Sequence, residues 1–139
     1  MKIGVEFPGG RRVDARLRGH LVPTDQPSDA GGADSAPSPF ELFFVSLATC
    51  AGYYALRFCE SRQIDMEGMD VVLRVERAPD HGPITAVRIQ VTLPRDFPER
   101  YREALLRAVD QCAVKKFVAA PAPIEVDLVP APAPALRPN

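Results

Sequence analysis

Ser38-Pro39-Phe40-Glu41-Leu42-Phe43-Phe44-Val45-Ser46-Leu47-Ala48-Thr49-Cys50-Ala51-Gly52-Tyr53-Tyr54-Ala55-Leu56-Arg57-Phe58-Cys59 is the stretch on which the fold turns. Ser38 suits a helix N-cap, Pro39 suits the first helical position, and Glu41 completes an S-x-x-E capping box. Beyond the cap the residues are apolar on nearly every side, and a helix without a polar face belongs inside, surrounded by other elements. Running from Pro39 to about Arg62, it would be roughly 35 Å long. A chain of 139 residues builds one core and no second one. One such core could hardly cover the whole helix, so the sequence predicts a partner subunit that finishes the burial.

Upstream of the helix, Lys2 to Phe7 alternates, with Ile3, Val5 and Phe7 on one face. Pro8-Gly9-Gly10 makes a turn, and Val13, Ala15 and Leu17 then alternate with Arg12, Asp14, Arg16 and Arg18. This pattern predicts a hairpin with one apolar and one charged face, with Leu21 and Val22 as a short further strand. Gln26 to Pro37 is a long loop for a compact domain, which marks it as mobile or functional. Downstream, Met69–Arg77 and Ile84–Leu93 alternate on either side of Ala78-Pro79-Asp80-His81-Gly82-Pro83, a second hairpin. A second helix is expected from Asp96 to about Val118, with Tyr101, Leu105, Ala108, Val109 and Cys112 facing the core. Ile124, Val126 and Leu128 read as a last strand, and residues 130–139 as a Pro/Ala-rich extended or disordered tail after one domain over residues 1–129. No proline is expected inside a helix or strand. Strands grouped in hairpins give an α+β fold with a mostly antiparallel sheet around two helices.

Composition narrows the function. The formal net charge of −1 gives no field that favours nucleic acid or an anionic membrane. Leu42–Leu56 is shorter than a membrane span needs and is cut by Arg57, and nothing reads as a signal peptide, so the expectation is a cytoplasmic protein. No GxGxxG or P-loop occurs. Cys50, Cys59 and Cys112 are widely spaced, and His20 and His81 stand at no metal-ligand spacing from them, which speaks against a metal site and against a disulfide scaffold. No cofactor is expected. Buried free thiols or a reactive pair remain. Cys50 and Cys59, nine residues apart, sit on opposite faces of the helix and roughly 13 Å apart in height, so they cannot bond to each other. Cys50 lies among small side chains in Ala48-Thr49-Cys50-Ala51-Gly52. If the two helices pack together, Cys50 and Cys112 are the pair placed to meet, and Cys59 is structural.

The run Ala36-Pro37-Ser38-Pro39-Phe40-Glu41-Leu42, leading to Ser46-Leu47-Ala48-Thr49-Cys50, resembles the OsmC/Ohr family of osmotically induced and organic hydroperoxide resistance proteins. So does the second cysteine in Ala108-Val109-Asp110-Gln111-Cys112-Ala113-Val114. The resemblance reaches Val129 and implies an α+β fold in which two protomers intertwine around their central helices. It implies thiol-dependent reduction of a small hydrophobic peroxide, with Cys50 as peroxidatic thiol, Cys112 as resolving thiol and a dithiol as reductant. Such chemistry needs a thiolate, stabilised by positive charge or hydrogen bonds. In the family an N-terminal Arg held by a Glu does this. Here Arg11, Arg12, Arg16, Arg18 and His20 are the candidates, Arg18 and His20 first. Phe40 stands where peroxidase members carry their Glu, and Glu41, one residue on, is both the candidate acid and the capping-box acid. Ala113 follows Cys112 where those members have Pro, while Gly19-His20 and Asp25 match a divergent OsmC-like branch. Phe40, Phe43, Phe44 and Tyr53 would line the substrate pocket. The alternative is a non-catalytic or redox-sensing protein of this type that binds a small hydrophobic ligand at the dimer interface.

Overall fold

The long helix forms as its cap dictates. In a computed structural model that describes residues 1–80 and 82–130, α1 spans Pro39–Glu60 over 22 residues. Ser38 Oγ accepts the Glu41 N–H while the Glu41 carboxylate accepts the Ser38 N–H, so both halves of the capping box are made. By length and composition α1 could cross a membrane. Its stripe Leu47, Ala51, Ala55, Phe58 and Cys59 is nevertheless buried in protein, at the three- and four-residue spacing of one helix face.

That stripe is the centre of the core. It meets Phe97, and Leu105 and Val109 of α2 (Arg102–Val109), with Val71, Ile89 and Val91 of a hairpin packed at the edge. The hairpin pairs β4 (Asp70–Arg77) with β5 (Ile84–Thr92), and Val71, Leu73 and Val75 face Val91, Ile89 and Val87. Ala51 and Ala55 have no exposed surface. Side chains this small let α1 and its neighbours approach closely, which is how so few residues make a core.

A second antiparallel sheet comes from the N-terminal segment: β1 (Gly4–Gly9), β2 (Arg12–Leu17) and β3 (His20–Val22), in that order. The two sheets are separate, and among the described residues β1–β3 pack mainly on one another, not on the helices. Ile3, Val5 and Phe7 are exposed accordingly.

Four expectations need correction. Pro8 lies within β1, tolerated because the β1–β2 register breaks between Glu6 and Gly9. Asp14 is buried rather than on a solvated face, because its carboxylate binds Arg12 and accepts the Thr24 N–H. The second helix is three pieces: a 3-10 turn at Glu99–Tyr101, α2, and α3 (Ala113–Ala119), with a break around Cys112. Ile124–Leu128 form no strand. Ile124 is 85% and Leu128 99% exposed, since a strand needs a neighbour and among the described residues it has none. Of the expected tail, residues 131–139 lie outside the described residues.

The loop before α1 is ordered by one carboxylate. Asp25 is 1% exposed and accepts from the N–H groups of Gln26, Ala33 and Ser35 and from Ser35 Oγ. These bonds, Ser35's hydroxyl foremost, hold its carboxyl down at about 2. The result fixes the direction in which the chain enters the cap of α1.

Candidate functional site

Cys50 is presented from the middle of α1, half-buried, one turn beyond Leu47. Its counterpart comes from the break between α2 and α3. Helix α2 ends with the Gln111 N–H on Ala108 O and the Cys112 N–H on Val109 O, both at 3.0 Å. Cys112 then leaves the helical conformation, at φ −45° and ψ 118°, and becomes the N-cap of α3. Its sulfur accepts the Lys115 N–H at 3.5 Å. Side chains bridge the break twice more, from Lys115 to Asp110 and from Lys116 to Gln111.

Because α1 packs against both α2 and α3, this geometry sets the Cys112 thiol against Cys50. Both are free, and each acts on the other's thiol. Burial raises the Cys112 thiol, and the neighbouring Cys50 sulfur raises it further. At Cys50 burial also acts to raise the thiol, but it is outweighed. Hydrogen bonds from Cys112 and from the N–H groups of Val114 and Ala113 lower it below the ordinary value. The unpaired amides of a helix N-terminus are natural donors to an anion, and here they supply what positive side chains were expected to supply. A proline in place of Ala113 would have no N–H to give.

Of the other candidates, none meets the thiols among the described residues. Arg18 and His20 are exposed at the β2–β3 turn, where Arg18 takes a left-handed φ of 54° beside Gly19. Arg16 is spent on Glu6 at 2.8 Å, and Arg12 on Asp14. Glu41 binds Ser38, N–H first, which lowers its carboxyl, and it stays exposed at the start of α1. Cys59 is fully buried in the core, and burial raises its thiol.

An apolar cavity of about 460 Å³ lies between α1, β5 and the α2–α3 segment, lined by Phe43, Leu47, Ile89, Val109, Lys115 and Val118 among others. Of the four aromatic residues expected to share a pocket, only Phe43 reaches it. Phe40, Phe43 and Phe44 instead cluster at the start of α1, with ring centroids 5.1 to 6.3 Å apart, and Tyr53 sits edge-on to Tyr54. The cavity wall from α2 and α3 went unforeseen because it depends on the break, and nothing in Asp110-Gln111-Cys112 announces one.

The pattern that defines the OsmC-like proteins matches residues 31–127. The chain belongs to the OsmC-like family. Among solved structures it is similar to a candidate osmotic stress induced and detoxification response protein from Psychrobacter arcticus, at 24% identity and a TM-score of 0.69, covering 84% of this chain and 86% of that one. An OsmC-like protein from Mycoplasma pneumoniae gives 11% identity and a TM-score of 0.68 over 86% and 87% of the two chains. An organic hydroperoxide resistance protein OsmC from Legionella pneumophila gives 19% and 0.51 over 86% and 88%. Among curated proteins none matches by sequence. At these identities the likeness is one of fold, and it makes this OsmC-like chain a divergent member.

Proposed function

We propose that this OsmC-like protein reduces organic hydroperoxides through Cys50 and Cys112. The observation that carries the reading is the pair of free thiols that the packing of α1 on the α2–α3 break brings together, with the Cys50 thiol lowered and the Cys112 thiol raised. The Cys50 thiolate attacks the outer peroxide oxygen and becomes a sulfenic acid, while the O–O bond breaks and the alkoxide leaves as alcohol after taking a proton. The Cys112 thiol then condenses with the sulfenic acid, water departs, and the disulfide forms. A dithiol of low potential returns the two electrons. The apolar cavity suits the organic part of the peroxide. Glu41, Arg18 and His20 take no part within one chain in this scheme.

The working unit we propose is a soluble, cytoplasmic homodimer. The chain exposes 11181 Å², against about 7100 Å² for a compact monomer of 15.2 kDa. The last ten residues, even fully unfolded, account for only about 1500 Å² of that excess. The remainder is the size of an obligate interface. The surfaces concerned are apolar: the outer side of α1 with Phe40, Val45 and Tyr53, the face of β1, and Ile124–Leu128. A partner that brought its Arg18 or His20 to the Cys50 of this chain would supply the cation support that the described residues of one protomer do not.

The test is consumption of cumene hydroperoxide with dithiothreitol or dihydrolipoate. Cys50→Ser abolishes it, and Cys112→Ser leaves Cys50 trapped as a sulfenic acid that dimedone labels. An intact protein that turns over no peroxide with either dithiol overturns the reading. The cavity then supports the second one, a binding protein for a small hydrophobic molecule.

A further inference from the structure

We propose that closing the Cys50–Cys112 disulfide uncaps α3 and loosens the wall that α3 gives to the apolar cavity. The inference rests on the reading of the two cysteines as a redox pair. In the reduced protein the Cys112 sulfur does two jobs at once, accepting the Lys115 N–H and touching Cys50. When the sulfenic acid on Cys50 condenses with the Cys112 thiol, water leaves and a covalent bond replaces the thiol contact. That bond is far shorter than any hydrogen bond to sulfur. The Cys112 sulfur is thereby drawn to α1 and away from the Lys115 N–H.

Beyond its contact with α1 and the Ala113 and Val114 N–H groups on Cys50, little else holds α3. None of its seven residues is buried. A helix this short does not stand by itself, and its start depends on the cap. The bridges from Lys115 to Asp110 and from Lys116 to Gln111 are exposed side-chain pairs, which contribute little. Yet Lys115 and Val118 of α3 line the cavity together with Phe43 and Leu47 of α1. The cavity wall is therefore firm while the thiols are ready to react and slack once they have reacted. An apolar ligand is held before the chemistry and given up after it.

Amide hydrogen exchange of the full chain, read at Lys115 and Lys116, tests this. The protein is compared reduced and after diamide treatment, with the disulfide verified by its mass. Loss of a cap makes exchange about fivefold faster in the disulfide form. Without any oxidant, Cys112→Ala shows the same acceleration, whereas Cys112→Ser, whose hydroxyl caps in place of sulfur, keeps the slow rate. Equal exchange in the reduced and disulfide forms overturns the proposal even where peroxide is consumed, and so does equal exchange in the Ala and Ser variants. If diamide closes no Cys50–Cys112 bond, both this proposal and the redox-pair reading fall.

Discussion

Replacing Ala113 with Pro removes one hydrogen bond from Cys50 and very little else. Position 113 is the first residue of α3, where proline fits and where the N–H has no partner inside the helix. Cys112 before it is already out of the helical region, at ψ 118°, and a following proline disfavours only the helical one. What disappears is one of two backbone donors to the Cys50 sulfur. A hydrogen bond to a charged acceptor is worth roughly 1.5–3 kcal/mol. The diffuse lone pairs of sulfur and partial access of water to Cys50 reduce this to about 1 kcal/mol, or about fivefold in thiolate population. The assay is the rate of iodoacetamide alkylation at Cys50, followed by peptide mass across pH 5 to 10, with circular dichroism to verify the helices. Ala113→Pro slows alkylation about fivefold near pH 7 and moves the profile to higher pH. An unchanged profile in a folded variant refutes the argument that amides of α3 stabilise the thiolate. The substitution also restores the residue usual at this place in peroxidase members, whose thiolate leans on an arginine.

Further outcomes follow from the core, the cap and the loop. Leu105→Ala empties a site that is 1% exposed between α1 and α2 and costs about 3 kcal/mol in urea unfolding; a loss under about 1 kcal/mol would place the core elsewhere. Ser38→Ala breaks the capping box and costs about 1 kcal/mol, while Cys50 alkylation stays as in the parent; a slowed alkylation would instead tie Glu41 to the thiol. The folded Asp25 carboxyl sits at about 2, below its ordinary 3.8. Its stabilising contribution is therefore complete above about pH 4 and is lost as pH falls through about 2. Asp25→Asn flattens acid unfolding in that window, and an unaltered slope there refutes the role given to the carboxylate.

What the residues disclosed and what they withheld divides along the range of the interactions. Ser38, Pro39 and Glu41 announce the start of α1 because a capping box is made within four residues. The two hairpins are legible for the same reason, as alternation around turns rich in Pro, Gly and Asp. The break at Cys112 was not legible: Ala108 to Val118 is compatible with continuous helix, and the turn is stabilised by contacts that appear only once α1 packs there. Asp14 looked like part of a charged face, yet Thr24, ten residues away, supplies its donor and draws it inside. Ile124–Leu128 alternates as a strand should, but pattern alone does not provide a neighbour. At the site, the spacing of the helices brought Cys50 and Cys112 into consideration together. The amide donors stayed hidden, since a backbone N–H leaves no mark in a sequence.

Cys59 gives the molecule an internal clock. Sealed in the core beside Phe97 and Leu105, it is reached by a thiol reagent only when α1 separates from α2. Cys50, half-buried, reports on chemistry at the surface of that helix, over seconds to minutes of labelling. The third thiol counts openings of the fold itself. One sample treated with one reagent thus records two unrelated rates, and a ligand that tightens the core slows the second without touching the first.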